Sequence, residues 1–262
     1  MTELYPEPPH LTIAVWAAED DEQAFGQACD TAVEFGCTPS GVVELAPRGR
    51  PFAMLQEQPR LVGDRRAEGL ADRSTVELTG AEFESAVHGG DPVSRPLKAG
   101  YRGKGTVIVE HLYGTEVEAH PAAISLSAGA LGLPQELWRS KDRKAAYKLA
   151  AWATDVLREL TTRTGAVYGS IAVEETLPTP SALRAGHAIS SLPFLSASLP
   201  STVVHKFQTA FNQTKPVNWT HGTFFPAWHP FANGTPSEIN RGALATASTT
   251  LGNALQRRTH EL

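Results

Sequence analysis

Cysteine is scarce in this chain of 262 residues, which contains only Cys29 and Cys37. Their spacing does not match a C-x-x-C redox or zinc pair, and two thiols cannot make the disulfide framework that supports small secreted domains. We therefore interpret both cysteines as small hydrophobic residues of a protein in a reducing compartment.

Long apolar runs and targeting signals are also missing. No stretch approaches the roughly 18 to 20 apolar residues that span a bilayer, and the opening MTELYPEPPH lacks the basic and apolar regions of a secretory signal. The formal net charge of −5 at pH 7 gives no general positive surface for nucleic acid. These features predict a soluble, cytoplasmic protein that binds neither nucleic acid nor a membrane.

Standard catalytic signatures are absent as well. The sequence has no G-x-S-x-G nucleophile elbow, Walker A loop, H-E-x-x-H metal site, EF-hand loop or G-x-G-x-x-G dinucleotide loop. This excludes the families that those motifs mark, although it does not exclude an enzyme of another kind.

Apolar residues make up 41% of the chain, which is enough for a packed core. β-branched runs alternate with helical periodicity in two places, and Gly36 and Gly165 are placed to end the two helices. The predicted order is strand 10–17, helix 21–35 and strand 41–45, followed later by strands 105–114 and 122–128, helix 142–163 and strand 166–175.

The last third of the chain shows mainly helical signals. Thr179 and Ser201 are predicted helix caps, and Thr235–Glu238 (TPSE) is a capping box that should open a final helix at Pro236. We predict an α+β fold with a mixed sheet of two strand-helix-strand units and a mostly helical C-terminal third. Residues 1–262 should form one domain, with a subdivision into 1–104 and 105–262 as the alternative.

Two clusters have the composition of a ligand site but lack its spacing. Glu110, His111, Glu116, Glu118 and His120 carry metal-binding groups. Neighbours on a strand point to opposite faces, however, so Glu110 and His111 should not share a metal.

Lys98, Arg102 and Lys104 lie among glycines without the strand and helix of a phosphate loop, which favours a basic surface loop. We predict no metal and no cofactor.

The segment VNWTHGTFFPAWHPFANG, residues 217–234, concentrates aromatic rings, histidines and small polar residues. It could be an irregular part of the core, or it could line a site for a partner. The candidate binding residues are Trp219, His221, Phe224, Phe225, Trp228 and His229.

The strand at 166–175 supplies a second group of candidates. Alternation places Tyr168 and Glu174 on one face of that strand. A carboxylate at a strand end can act as a general acid or base if burial raises its pKa.

Two functions from different classes remain open. The first is a cytoplasmic binding protein that recognises a protein partner or a small ligand through residues 217–234. By analogy of class, this could be a bacterial immunity-type protein that neutralises a toxin. The second is a small-metabolite enzyme, a hydrolase or transferase, that uses His221 or His229 as the base, Glu174 or Glu175 as its partner, and Tyr168 nearby.

Overall fold

A computed structural model gives the fold of two compact units. It describes residues 5–17, 21–48, 74–112, 120–131, 139–190, 192–212, 214–228 and 239–259. Unit 1 comprises residues 1–7 and 17–127, and unit 2 comprises residues 8–16 and 128–262. The described residues form ten strands and six helices. None of the helices in these ranges is long and apolar enough to cross a bilayer.

Unit 1 contains five antiparallel strands and two helices. Their spatial order is β3-β2-β4-β5-β6. The elements are α1 (Asp21–Glu34), β2 (Thr38–Pro47), β3 (Ser74–Glu77), α2 (Ala81–Val87), β4 (Ser94–Gly103), β5 (Gly105–His111) and β6 (Ala122–Ser127).

The two helices of unit 1 pack on the face of the strands that carries Tyr101 and His111. Phe25 of α1 stacks on the His111 ring with centroids 4.8 Å apart. Phe83 of α2 meets Tyr101 edge to face at 5.7 Å. Gly36 follows α1 with a φ of 87°, so this helix ends where its glycine was predicted to end it.

Unit 2 also contains five antiparallel strands, in the order β1-β7-β8-β10-β9. Four helices accompany them. The elements are β1 (His10–Trp16), α3 (Ser140–Thr164), β7 (Tyr168–Val173), α4 (Pro180–Arg184), β8 (Leu192–Ser196), α5 (Ser201–Ala210), β9 (Val217–Trp219), β10 (Gly222–Phe224) and α6 (Arg241–Thr259).

Helices cover both faces of the strands in unit 2. A Cβ built on Gly169 of β7 would lie 3.3 Å from Leu157 Cδ1, so α3 packs on the face that Gly169 shares with its cross-strand partner Phe194. Phe225 follows β10 and is oriented the other way, where it packs against Phe207 and Phe211. Helix α5 therefore covers the face opposite to α3.

The predicted fold class is wrong in three respects. The strand pairings within both units are antiparallel, so the sheet structure is not mixed. Helix α1 does not join neighbouring strands, because β1 pairs with β7 whereas β2 pairs with β3 and β4. The last third is not mostly helical either, since it contributes β8, β9 and β10 beside its helices. The division into domains stays a prediction.

Several predicted boundaries also change. Helix α6 begins at Arg241, five residues after Pro236, and the Asn240 side chain accepts the Ala243 N–H at 3.0 Å as its cap. The predicted capping box at 235–238 lies outside the described residues. Lys98 and Arg102 belong to β4 and not to a surface loop. Thr179 does cap α4, where it accepts from Ala182.

Candidate functional site

The first half of the predicted aromatic segment is a β-hairpin. Strands β9 and β10 pair from Val217 with Phe224 to Trp219 with Gly222, and a two-residue loop, Thr220-His221, joins them. Strand β10 pairs with β8, so β9 is at one edge of the described strands of unit 2. An edge strand leaves backbone groups open to another chain.

The Trp219 ring lies on a platform of two phenylalanines. Its centroid is 4.7 Å from that of Phe224 and 5.5 Å from that of Phe194, with interplanar angles of 15° and 21°. Phe194 and Phe224 are direct cross-strand partners and are fully buried, whereas Trp219 is half-buried. Stacking therefore fixes the ring while part of it remains in solvent.

Gly222 makes this arrangement possible. A Cβ at this position would lie 2.1 Å from the Leu195 carbonyl oxygen and 2.7 Å from Phe194 Cε2. Any larger residue would therefore push β10 away from β8 and separate the rings.

The two phenylalanines of the predicted site lie in the core. Phe224 supports Trp219, and Phe225 packs against Phe207 and Phe211 with centroids 6.2 and 5.1 Å away. Their exposed fractions are 1% and 0%. Neither ring offers surface to a partner, so they anchor the hairpin.

Trp228 ends the described part of the segment and connects it to α3. It is half-buried, and its Nε1 donates to Thr154 Oγ1 at 3.0 Å. Trp219 shares its strand face with Phe194 and Gly169, the face on which α3 packs. Both tryptophans are thus half-buried. His229 and Phe231 lie outside the described residues.

The histidine and glutamate proposed as an acid-base pair are not neighbours. His221 is exposed in the hairpin loop, next to the end of β8 that pairs with Tyr168. Glu174 lies six residues beyond Tyr168 along β7, which is roughly 20 Å at the rise of a strand. The structure therefore does not bring His221 and Glu174 together.

Glu174 and Tyr168 each have a structural partner. Glu174 adopts a φ of 58°, and its Oε1 lies 3.4 Å from His10 Nδ1 while also accepting the His10 N–H. Tyr168 is fully buried, stacks on Trp16 and donates its hydroxyl to the Pro178 carbonyl at 2.7 Å. Both side chains stabilise unit 2 by these contacts.

The metal-like cluster separates as predicted where it is described. His111 and His120 are buried with ring centroids 6.4 Å apart, whereas Glu110 lies on the other strand face, 3.3 Å from Lys98 Nζ. Residues 116 and 118 lie outside the described ranges. Within the residues that the structure describes, no group of three His, Cys, Asp or Glu side chains is placed to hold a metal.

A cavity of about 800 Å³ opens on unit 1, and none of the predicted site residues is among those that line it. Arg48 organises its wall, because it donates to the Glu22 carboxylate at 2.6 Å and to the carbonyls of Gly89 and Asp91 at 3.0 and 2.9 Å. The hydroxyl of Ser94 and the N–H of Val93 lower the pKa of Asp91. These contacts hold the loop in place and direct the Arg48 guanidinium toward groups of unit 1 itself.

Comparison with known proteins gives little further information. No protein-family model matches the chain, and no curated protein sequence matches it significantly. One similar solved structure is the Pseudomonas aeruginosa T6SS protein PA0821, with 11% sequence identity and a TM-score of 0.42. The match covers 93% of this chain and 72% of that one. A likeness this weak does not transfer a function.

A second surface feature was not singled out from the sequence. The stretch RSKDRKAAYK, residues 139–148, forms the start of α3 and carries five exposed basic side chains. Its signal is a local excess of charge of one sign in an acidic chain. The basic residues are Arg139, Lys141, Arg143, Lys144 and Lys148.

Proposed function

We propose that this protein is a binding protein that recognises a partner protein through the β9–β10 hairpin. The observation that carries the proposal is the fixed, half-exposed Trp219 ring on the edge strand of unit 2. Tryptophan is the residue type most enriched among those that dominate binding energy at interfaces. A ring already held by Phe194 and Phe224 loses little conformational entropy when a partner covers it.

Other features of the hairpin support a protein partner over a small ligand. Val217 is 43% exposed and His221 is exposed, so the edge offers apolar and polar groups beside the ring. The edge strand can also pair with an extended segment of another chain. The cavity on unit 1 includes no hairpin residue among those that line it. That cavity therefore gives no support to small-ligand binding at the hairpin.

An immunity-type role is the form of this function that we favour. A protein that neutralises a toxin must cover a surface of its target and needs no catalytic group of its own. The sequence has none of the catalytic motifs named above, and His221 lies apart from Glu174. We infer this role from the chemistry of the exposed hairpin and not from similarity to a protein of known function.

The test is quantitative retention of partners on the immobilised protein. A partner that binds the hairpin should be retained by wild type and by Val93→Ala, a control that truncates a side chain 72% exposed on unit 1. Trp219→Ala should weaken that binding by about 2 kcal/mol, or roughly thirtyfold. Trp219→Phe should restore most of the affinity because it keeps a stacking ring.

Thermal unfolding of the same variants separates binding from folding. If Trp219→Ala unfolds at the wild-type temperature within a few degrees and still binds the partner at wild-type affinity, the hairpin is not the recognition surface. Equal losses in Trp219→Ala and Val93→Ala would likewise reject the assignment.

A further inference from the structure

The first ten residues of α3 and its flank, 139–148, form the most strongly charged exposed stretch among the described residues. Five basic and one acidic side chain give a formal charge of +4, whereas the whole chain carries −5. The basic side chains are exposed and Asp142 is half-buried. The remainder of the chain therefore carries −9, so this end of α3 has a local charge opposite in sign to that of the rest of the chain.

This placement is unfavourable for the helix itself. The amino end of a helix carries a partial positive charge, so acidic residues stabilise it and basic residues destabilise it. The N-cap position of α3 is Arg139, which makes no side-chain capping hydrogen bond. Helix stability therefore does not explain why four cations follow within the next nine residues.

Ion pairing among the described residues does not explain the three lysines of this stretch either. The carboxyl-terminal half of α3 neutralises its charges, because Arg158 pairs with Asp155 at 2.8 Å and Arg163 with Glu159 at 2.7 Å. Lys141, Lys144 and Lys148 pair with no acidic side chain in the described part of the chain. Among the described residues, one half of the helix thus has its charges paired, and the lysines of the other half have no acidic partner.

An exposed aromatic ring lies within the basic stretch. Tyr147 is 49% exposed, although it sits one residue from buried Ala146 and adjoins Lys148. Tyrosine is enriched at protein interfaces, whereas lysine is depleted at their centres. The Tyr147 ring would therefore provide the central contact area, and the lysines would surround it. Charge and ring together point to a macromolecular surface.

We propose that residues 139–148 are a second docking surface that binds an acidic patch on a protein partner. The stretch is roughly 15 Å long at 1.5 Å per residue, which matches a local patch. A nucleic acid is less suited to this surface. Its phosphates would extend beyond the basic stretch, where the net negative charge of the rest of the protein would repel them. The surface does not include the hairpin, so either proposal can fail without the other.

The probe is fluorescein-labelled poly-L-glutamate of about 50 residues, and its binding is followed by fluorescence anisotropy at about 50 mM and 150 mM salt. The test variant is Lys141→Glu/Lys144→Glu/Lys148→Glu. The matched control is Arg102→Glu/Lys215→Glu/Arg241→Glu, which reverses three exposed cations elsewhere. Both variants change the formal net charge from −5 to −11, so a general charge effect is the same in each.

We expect wild type to bind the probe, more weakly at the higher salt. The test variant should lose at least tenfold in affinity, and the control should change by less than threefold. The test variant should unfold at or above the wild-type temperature, because glutamates suit the amino end of a helix. Tyr147→Ala should weaken binding by about threefold without removing the salt dependence.

Three results would overturn the proposal. The first is no detectable binding of poly-L-glutamate at low salt. The second is an equal loss in the test and control variants, which would make the effect one of net charge. The third is tighter binding of a DNA duplex or of phosphatidylserine vesicles than of poly-L-glutamate, which would assign the surface to a different class of partner.

Discussion

Gly222→Ala tests the construction of the hairpin most directly. The added Cβ would lie 2.1 Å from the Leu195 carbonyl oxygen, and 2.7 and 2.8 Å from two atoms of the Phe194 ring. The oxygen belongs to the backbone of β8 and cannot rotate away. Strand β10 must therefore move by more than 1 Å, because ordinary contacts of a Cβ are about 3.4 to 4 Å.

The expected loss of stability follows from these contacts. Overpacking in a closely packed region costs about 1 to 3 kcal/mol, and separation of the stacked aromatic rings removes roughly a further 0.5 to 1.5 kcal/mol. Replacement of glycine by alanine lowers the entropy of the unfolded chain and returns about 0.4 to 1 kcal/mol. We therefore expect a net destabilisation of about 2 kcal/mol.

Urea unfolding followed by far-ultraviolet circular dichroism measures this difference. Gly242→Ala is the matched control, because a Cβ there meets only Asn240 Oδ1 at 3.6 Å. That substitution lies in the first turn of α6 and should stabilise the protein by up to about 1 kcal/mol. If Gly222→Ala is as stable as wild type, the close approach of β8 and β10 is wrong, and so is the support that we assign to Trp219.

Three further substitutions test the packing within the units. Lys98→Met should cost about 3 kcal/mol, because it leaves Glu110 in a largely buried site without its cation, and Lys98→Met/Glu110→Leu should recover part of that loss in urea unfolding. Burial opposes the charged form of Lys98, but Glu110 and Tyr5 outweigh it and raise the pKa of Lys98. The stabilisation is thus fully present below pH about 10.4 and should disappear as the pH rises through the raised pKa, a trend that Lys98→Met should lack. Tyr168→Phe should cost about 1 kcal/mol by removing the hydrogen bond to Pro178, and an unchanged stability would contradict that bond. Asn240→Ala should cost about 1 kcal/mol, whereas Thr235→Ala should cost less if Asn240 is the effective cap.

Local signals predicted many of the elements correctly. The β-branched residues around Ile13 form β1, and Gly36 and Gly165 follow α1 and α3 in left-handed conformations, with φ values of 87° and 59°. Each of these signals depends on a few neighbouring residues. Helix periodicity and glycine stops can therefore be recognised without knowledge of the rest of the fold.

Strand pairing could not be predicted in the same way. Helix α1 lies between β1 and β2 in the chain, and this order resembles a parallel crossover unit. In the structure, Ile13 pairs with Ile171, which is more than 150 residues away. No local pattern distinguishes these partners, because buried strands of similar composition can pair in many orders.

Strand β4 was predicted to be a loop because the burial of its lysine depends on a residue of another strand. Leu97, Ala99 and Tyr101 face the core in alternation with Lys98, which is the pattern of a strand, but the charged and glycine residues favoured a loop. Lys98 can be buried, with only 7% of its surface exposed, because Glu110 on β5 lies opposite and forms an ion pair with it. A lysine in isolation cannot indicate that such a partner exists.

The aromatic segment contributes its phenylalanines to the core, and the recognition that we propose depends on Trp219. Phe224 and Phe225 are core residues on opposite sides of β10, while Trp219 keeps part of its ring in solvent. These roles depend on each other, since a ring can be presented rigidly at a sheet edge only if buried rings hold it. Gly222 permits that support, because its missing Cβ gives Phe194 the space beside Trp219. Packing of the phenylalanines thus holds Trp219 in the position from which we propose that it recognises a partner.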